Sequence, residues 1–215
     1  MQAAVVSCHV ERPLDDDTWS RFERMQLRRP GGFRIAALMR PPDAKHGEDE
    51  DAWLPRARAA SARAPFGLHT HWTSPEHARP TNGDAAARVR EELEWLREQN
   101  LEPRYFCGGG WYTDDAVQRA IAEAGLVDCT ATTFPLRYGA DARVVEGPRP
   151  GLIPATHSLG MLVRAVRLPD FVHVYFHDTD LLDRRRATAF EVALRVLARR
   201  RPVRDLDEVS AAFAR

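Results

Sequence analysis

Three short stretches carry ionisable side chains at a spacing of two. Ser7-Cys8-His9-Val10-Glu11 places His9 and Glu11 at i and i+2, and Gly67-Leu68-His69-Thr70-His71-Trp72 does the same for His69 and His71. Val172-His173-Val174-Tyr175-Phe176-His177-Asp178 alternates apolar residues with His173, Tyr175 and His177. In an extended strand, residues two apart face one side, so each stretch presents its ionisable groups together. Imidazole nitrogen and carboxylate oxygen are ligands for zinc and similar divalent ions. Five of the eight histidines lie in these stretches. A histidine or glutamate on a strand buried on both faces costs desolvation free energy unless a partner or an ion compensates it. The clustering therefore points to a metal-ready site.

Each residue also has a plainer reading. His9 alone fits a hydrogen-bonded, semi-buried histidine, and Glu11 alone fits an ion pair with Arg12 or Arg40. His173 lies deeper in its strand and reads as structural. His46, in an acidic loop, reads as solvated, and His157 could approach the same mouth. Asp178, directly after His177, is placed to orient that imidazole. Gly108-Gly109-Gly110 lacks the phosphate-loop pattern and reads as a tight turn.

The elements that must position these groups follow from apolar periodicity. Strands are expected at Ala3–Val10, Phe33–Met39, Phe66–Trp72, Arg104–Cys107, Leu126–Thr132 and Phe171–Phe176, with Leu152–Thr156 as a further candidate. Helices are expected at Asp15–Arg28, Asp49–Arg63, Asp84–Gln99 and Ala187–Arg199. Another is capped by Thr113, carries Val117, Ala120, Ile121 and Ala124 on one face, and ends at Gly125. Phe134–Pro154, rich in Pro and Gly, reads as an irregular connection. Strands alternating with helices give an α/β protein with a parallel sheet, closed or nearly closed into a barrel, and a single domain over residues 1–215. In such barrels the chemistry gathers at the C-terminal ends of strands, where all three stretches terminate.

The bulk composition narrows the partners. Lys plus Arg and Asp plus Glu both number 31 in the 215 residues, so no global field draws the chain to nucleic acid or to an anionic membrane. A small-molecule or glycan substrate, uncharged or zwitterionic, suits that balance. The three cysteines form no CxxC pair. The N-terminus lacks a basic leader region, and no window offers the roughly 20 apolar residues of a membrane span. The expectation is a cytoplasmic protein; nothing in the sequence fixes its oligomeric state.

In order along the chain, these segments resemble the polysaccharide deacetylase superfamily, carbohydrate esterase family 4. The best stretch runs from Pro103-Arg104-Tyr105-Phe106-Cys107-Gly108-Gly109-Gly110-Trp111 to Ala124-Gly125-Leu126-Val127-Asp128-Cys129-Thr130-Ala131-Thr132. It is similar to the family's Phe-Arg-x-Gly-x-Trp, helix, Gly-Phe-x-x-Asp-Ser-Ser pattern. The resemblance implies a distorted (β/α)7-type barrel of mostly parallel strands and a metal-dependent hydrolase. Such an enzyme would remove an acyl group, typically acetyl, from an amino sugar or related N-acyl substrate. By position it implies Glu11, His69 and His71 as ligands of a divalent metal, zinc being the expected ion, with His77 in reserve because Thr73 stands where the family's second histidine usually lies. It implies His9 as the base, His177 as the general acid with Asp178 beside it, and Trp72, Gly109 and Trp111 facing substrate. Two positions depart from the pattern. His9 replaces an aspartate base, and Cys107 replaces the arginine that orients it. These changes suit altered chemistry, or a silent barrel that binds a carbohydrate or a protein, and a hydrolase acting on another bond is a third reading.

Overall fold

The computed structural model describes residues 1–131, 147–165 and 167–213. The strands are β1 (Ala3–Val10), β2 (Ala36–Met39), β3 (Phe66–Thr70), β4 (Tyr105–Gly108), β5 (Val127–Asp128), β6 (His157–Ser158) and β7 (Phe171–His177). They form one parallel sheet in the order β5-β4-β3-β2-β1-β7-β6. The α-helices are α1 (Asp16–Arg28), α2 (Glu50–Arg63), α3 (Ala85–Glu98), α4 (Asp115–Glu123), α5 (Leu159–Arg164), α6 (Arg184–Arg200) and α7 (Leu206–Phe213).

The segment before β6 draws the two edges of the sheet together. On one side Ile153 and Ala155 donate their backbone N–H groups to the carbonyls of Asp128 and Cys129. On the other, Thr156 donates to the carbonyl of His173. The sheet thereby curls into the distorted barrel expected from the sequence. The expected Leu152–Thr156 strand supplies this closure, although its ladder proper begins only at His157.

Strand alternation sorts the side chains into two cores. Val6, Cys8, Val10, Met39, Leu68, Phe106, Val174 and Phe176 point outward and pack under the helices. Ala3, Val5, Leu38, Tyr105, Cys107, Cys129, Ile153 and Phe171 fill the lumen. Burying one such Leu, Val or Phe side chain stabilises by about 1.5–3 kcal/mol. Gly67 in β3 is set by this packing. A Cβ there would stand 2.5 Å from the Tyr105 carbonyl oxygen and 2.6 Å from Leu38 Cδ2. Leu206 and Val209 of α7 join the lumen cluster near the N-terminal ends of the strands, and Tyr105 donates its hydroxyl to Asp207 at 2.6 Å.

Five helices begin on aspartate caps: Asp15, Asp49, Asp84, Asp114 and Asp183 each accept backbone N–H groups of the first turn, worth about 1 kcal/mol apiece. The expected Thr113 cap is thus one residue early. Phe33–Met39 shortens to β2 because Pro30–Gly32 form a 3-10 turn. Leu126–Thr132 shortens to β5, and its last residue lies outside the described part, as does much of Phe134–Pro154. Helices α5 and α7 were not anticipated.

Candidate functional site

Parallel register carries the three chemical stretches to one mouth. His9 is level with His177 of β7, and His69 is level with Cys107 of β4. Glu11 follows β1, so its carboxylate stands just beyond the strand end, facing the lumen like His9. Its Oε1 lies 3.5 Å from His71 Nε2, 3.6 Å from His69 Nε2 and 3.6 Å from His177 Nε2. The Glu11, His69 and His71 donor atoms all fall within 4.8 Å of one another.

The tautomers of the two β3 histidines are set by their backbone partners. His69 Nδ1 donates to the Cys107 carbonyl at 2.9 Å, and His71 Nδ1 donates to the Pro75 carbonyl at 2.8 Å. The proton is therefore on Nδ1, leaving a lone pair on each Nε2. Both Nε2 atoms are buried and, among the described residues, have no hydrogen-bond partner. Burial lowers His69 to about 4 despite the pull of Glu11. Burial works to raise Glu11, but the facing His69, His71 and His177 outweigh it and hold its carboxyl far below the usual carboxylate range. The corner thus gathers an acidic carboxylate and two imidazole nitrogens that an arriving cation can take in place of their protons. Donors around one tetrahedral zinc ion stand roughly 3.3–3.6 Å apart, and the 3.5 and 3.6 Å contacts of Glu11 match that span. The donor set fits a divalent metal.

Neighbouring elements hold this corner in place. Arg40, at the end of β2, donates Nε to the Glu11 carbonyl at 3.0 Å and both terminal nitrogens to Glu48 at 2.6 Å. Trp53 of α2 donates to the Arg40 carbonyl. Thr70 donates to Glu92 of α3 at 2.7 Å, fixing the end of β3. Gly109 lies so close that an added Cβ would stand 3.1 Å from His71 Cδ2. Its contribution is close backbone approach.

His9 is buried against His69, the ring centroids being 4.6 Å apart and stacked. Burial, followed by the neighbouring His69 and His177, pushes it well below the ordinary histidine range. His177 is half-buried. Burial opposes its charge, but Asp180 and Glu11 outweigh burial and raise it. Trp111 stands at the mouth with its ring edge-on to Tyr175 at 4.6 Å and to His9 at 5.2 Å. Its backbone φ is +60°, a left-handed conformation that is strained for a tryptophan. A cleft of about 560 Å3 opens beside Glu11 and His71, lined also by Arg12, Glu48, Pro75 and Glu76.

Three expected residues are placed elsewhere. His77 is exposed and hydrogen-bonded through Nδ1 to Ser74, and it belongs to neither close donor group. Trp72 turns away from the lumen, its indole donating to the Gly109 carbonyl and packing on Tyr112 and Phe106. With His69 and His71 inward, alternation requires this. Asp178 also points out of the lumen, accepting from the backbone of Arg12 at 2.9 Å and of Thr179 at 2.9 Å. Besides Glu11 on the Nε2 side, the carboxylate that faces His177 is Asp180, on the Nδ1 side. It accepts the His177 backbone N–H at 2.9 Å and lies 3.8 Å from Nδ1. Asp180 was not singled out in the sequence, and Arg40 was named only as an ion-pair partner of Glu11, whereas it binds the Glu11 backbone carbonyl and pairs with Glu48. The available signals were an acidic residue one turn past a strand end and an arginine closing an apolar strand.

No protein-family model and no curated protein matches the sequence. Solved structures do. A CE4 family pseudoenzyme from Bacillus anthracis superposes with a TM-score of 0.62 at 14% identity, over 97% of this chain and 65% of that one. The two chains share the barrel fold. The 4-alpha-glucanotransferase from Thermococcus litoralis superposes with a TM-score of 0.55 at 12% identity, over 98% of this chain and 38% of that one. The chain therefore spans less than two thirds of either neighbour. At these identities the likeness concerns architecture and assigns no residue a role. Among the described residues no helix is long and apolar enough to cross a membrane.

Proposed function

We propose that this protein is a metal-dependent hydrolase that removes an acyl group, acetyl in the first instance, from the nitrogen of an amino sugar or related N-acyl compound. The observation that carries this reading is the pair of buried, unpartnered Nε2 atoms of His69 and His71 facing the ionised Glu11. These three residues would hold the ion, with zinc the expected identity. When bound, a divalent ion there supplies Lewis acidity and a water of lowered pKa.

The chain's own groups account for the proton transfers. His9, kept neutral by burial, offers a lone pair to accept a proton from water at the inner wall of the mouth. His177, raised by Asp180 and Glu11, carries the proton that a departing amine needs. Trp111 offers a flat wall for a sugar ring, and the polar cleft beside Glu11 has the volume of a small-molecule pocket. The absence of a net charge suits a neutral or zwitterionic substrate.

The test has two stages. Elemental analysis of the purified protein is expected to find a stoichiometric divalent metal that His69→Ala and Glu11→Gln lose. Acetate release from a panel of N-acetylated amino sugars is then expected in the wild type and absent in both variants. A metal-free protein unaffected by His69→Ala would defeat the reading. Metal without release of any acyl group would favour a non-hydrolytic binding barrel.

A further inference from the structure

One inward-facing residue nearer the N-terminal end of β1, a second donor group lies beneath the first. His9, His69 and Cys107 bring one donor atom each to within 4.8 Å of one another. Their exposures are 2%, 1% and 0%. His9 Nε2 is buried without a hydrogen-bond partner among the described residues, an omission that is costly unless something binds there. The buried Cys107 thiol makes a long 3.8 Å contact with the Gly108 carbonyl and a hydrogen bond with Thr130.

We propose that His9, His69 and Cys107 form a second, thiolate-containing metal position that selects a cation softer than zinc. Two nitrogens and one sulfur make a softer set than the Glu11, His69 and His71 group, and thiolate ligands favour such ions. Donors sharing an ion at 2.0–2.3 Å stand roughly 3.3–3.8 Å apart, so ligation draws the donor atoms together by at most about 1.5 Å and turns the His9 ring out of its stacked alignment with His69 so that both lone pairs converge. The thiol loses its proton to solvent as the sulfur–metal bond forms.

His69 is common to both groups, and its Nδ1 is committed to the Cys107 carbonyl. Only Nε2 remains, and one lone pair serves one ion. The two positions are therefore alternatives, and the softness of the ion decides between them. A soft ion in the inner position takes His69 away from Glu11 and His71. This second position does not require that the outer one catalyse hydrolysis.

The experiment is a Cd(II) titration of the metal-stripped, full-length protein, followed by the ultraviolet thiolate-to-cadmium charge-transfer band and by cadmium NMR. The wild type is expected to show the band and a shift typical of mixed sulfur and nitrogen ligation. Both persist in Glu11→Gln and His71→Ala. The band is lost in Cys107→Ala and weakened in His9→Ala, with circular dichroism confirming that each variant is folded. Should Cys107→Ala fail to fold, the wild-type NMR shift alone decides. A shift typical of oxygen and nitrogen ligands only, or a band that survives Cys107→Ala, overturns the proposal. Acyl release without a thiolate band removes this site alone. A thiolate band without acyl release removes the hydrolase reading alone.

Discussion

An imidazole whose Nδ1–H is tied to a carbonyl has its other nitrogen aimed before any ion arrives. His69 and His71 are both held this way, by Cys107 and Pro75. Replacing His71 with Ala is expected to weaken zinc binding by more than the 10–100-fold typical of losing a supporting partner, measured by chelator competition. The two tryptophans separate by role. Trp72→Ala should destabilise the fold by about 3–5 kcal/mol in denaturant titration while leaving KM close to wild type in the folded fraction. Trp111→Ala should raise KM for the N-acyl substrate about fivefold, a loss of roughly 1 kcal/mol of ring contact, with little change in Tm. Much of this geometry was legible from the period of two, which put His9, Glu11, His69, His71 and His177 on one side. The same period, applied to Trp72 and Asp178, excludes both from the lumen. His77 lies in a loop and Asp180 in the 3-10 turn Asp178–Leu181, where the period of two does not operate and only the folded path decides which residue returns.

At the scale of elements, the end of β1 is positioned by its neighbour β2. Arg40 grips the Glu11 carbonyl and forks onto Glu48. Lysine keeps the charge and loses the two-pronged geometry. Arg40→Lys is therefore expected to lower metal affinity by about 10–100-fold, and the same chelator competition checks it. Gly67→Ala forces a methyl against the Tyr105 carbonyl and Leu38. It should cost at least about 1–3 kcal/mol, visible as a lowered Tm. The long elements could be read from the sequence because each buries a full apolar stripe, as α3 does with Val89, Leu93 and Leu96. Helices α5 and α7 could not, because they are short and bury only Leu159 with Leu162, and Leu206 with Val209. Their placement depends on long-range packing.

Across the whole molecule, the lumen holds a titratable group away from the site. His173 is fully buried, donates Nδ1 to the Ile153 carbonyl and accepts from Ser7. Burial lowers it to about 4, against the pull of its backbone partners. The unfolded chain then binds a proton near pH 6.5 that the folded chain refuses until about pH 4. Its contribution is intact above the unfolded value, and stability falls by about 3 kcal/mol as pH drops through that window. Denaturant titrations of wild type and His173→Gln should converge from pH 7 to pH 4, and parallel curves would count against the assignment. The barrel is also unevenly sewn. All eight residues of β1 are buried, with a seven-residue ladder to β7 and a four-residue ladder to β2, whereas closure rests on two-residue strands and isolated hydrogen bonds. Amide deuteration should therefore spread from the Leu152–Ser158 seam, with β1 protected longest. Thermal loosening would thus begin at that seam, while the strand bearing His9 stays still as the anvil.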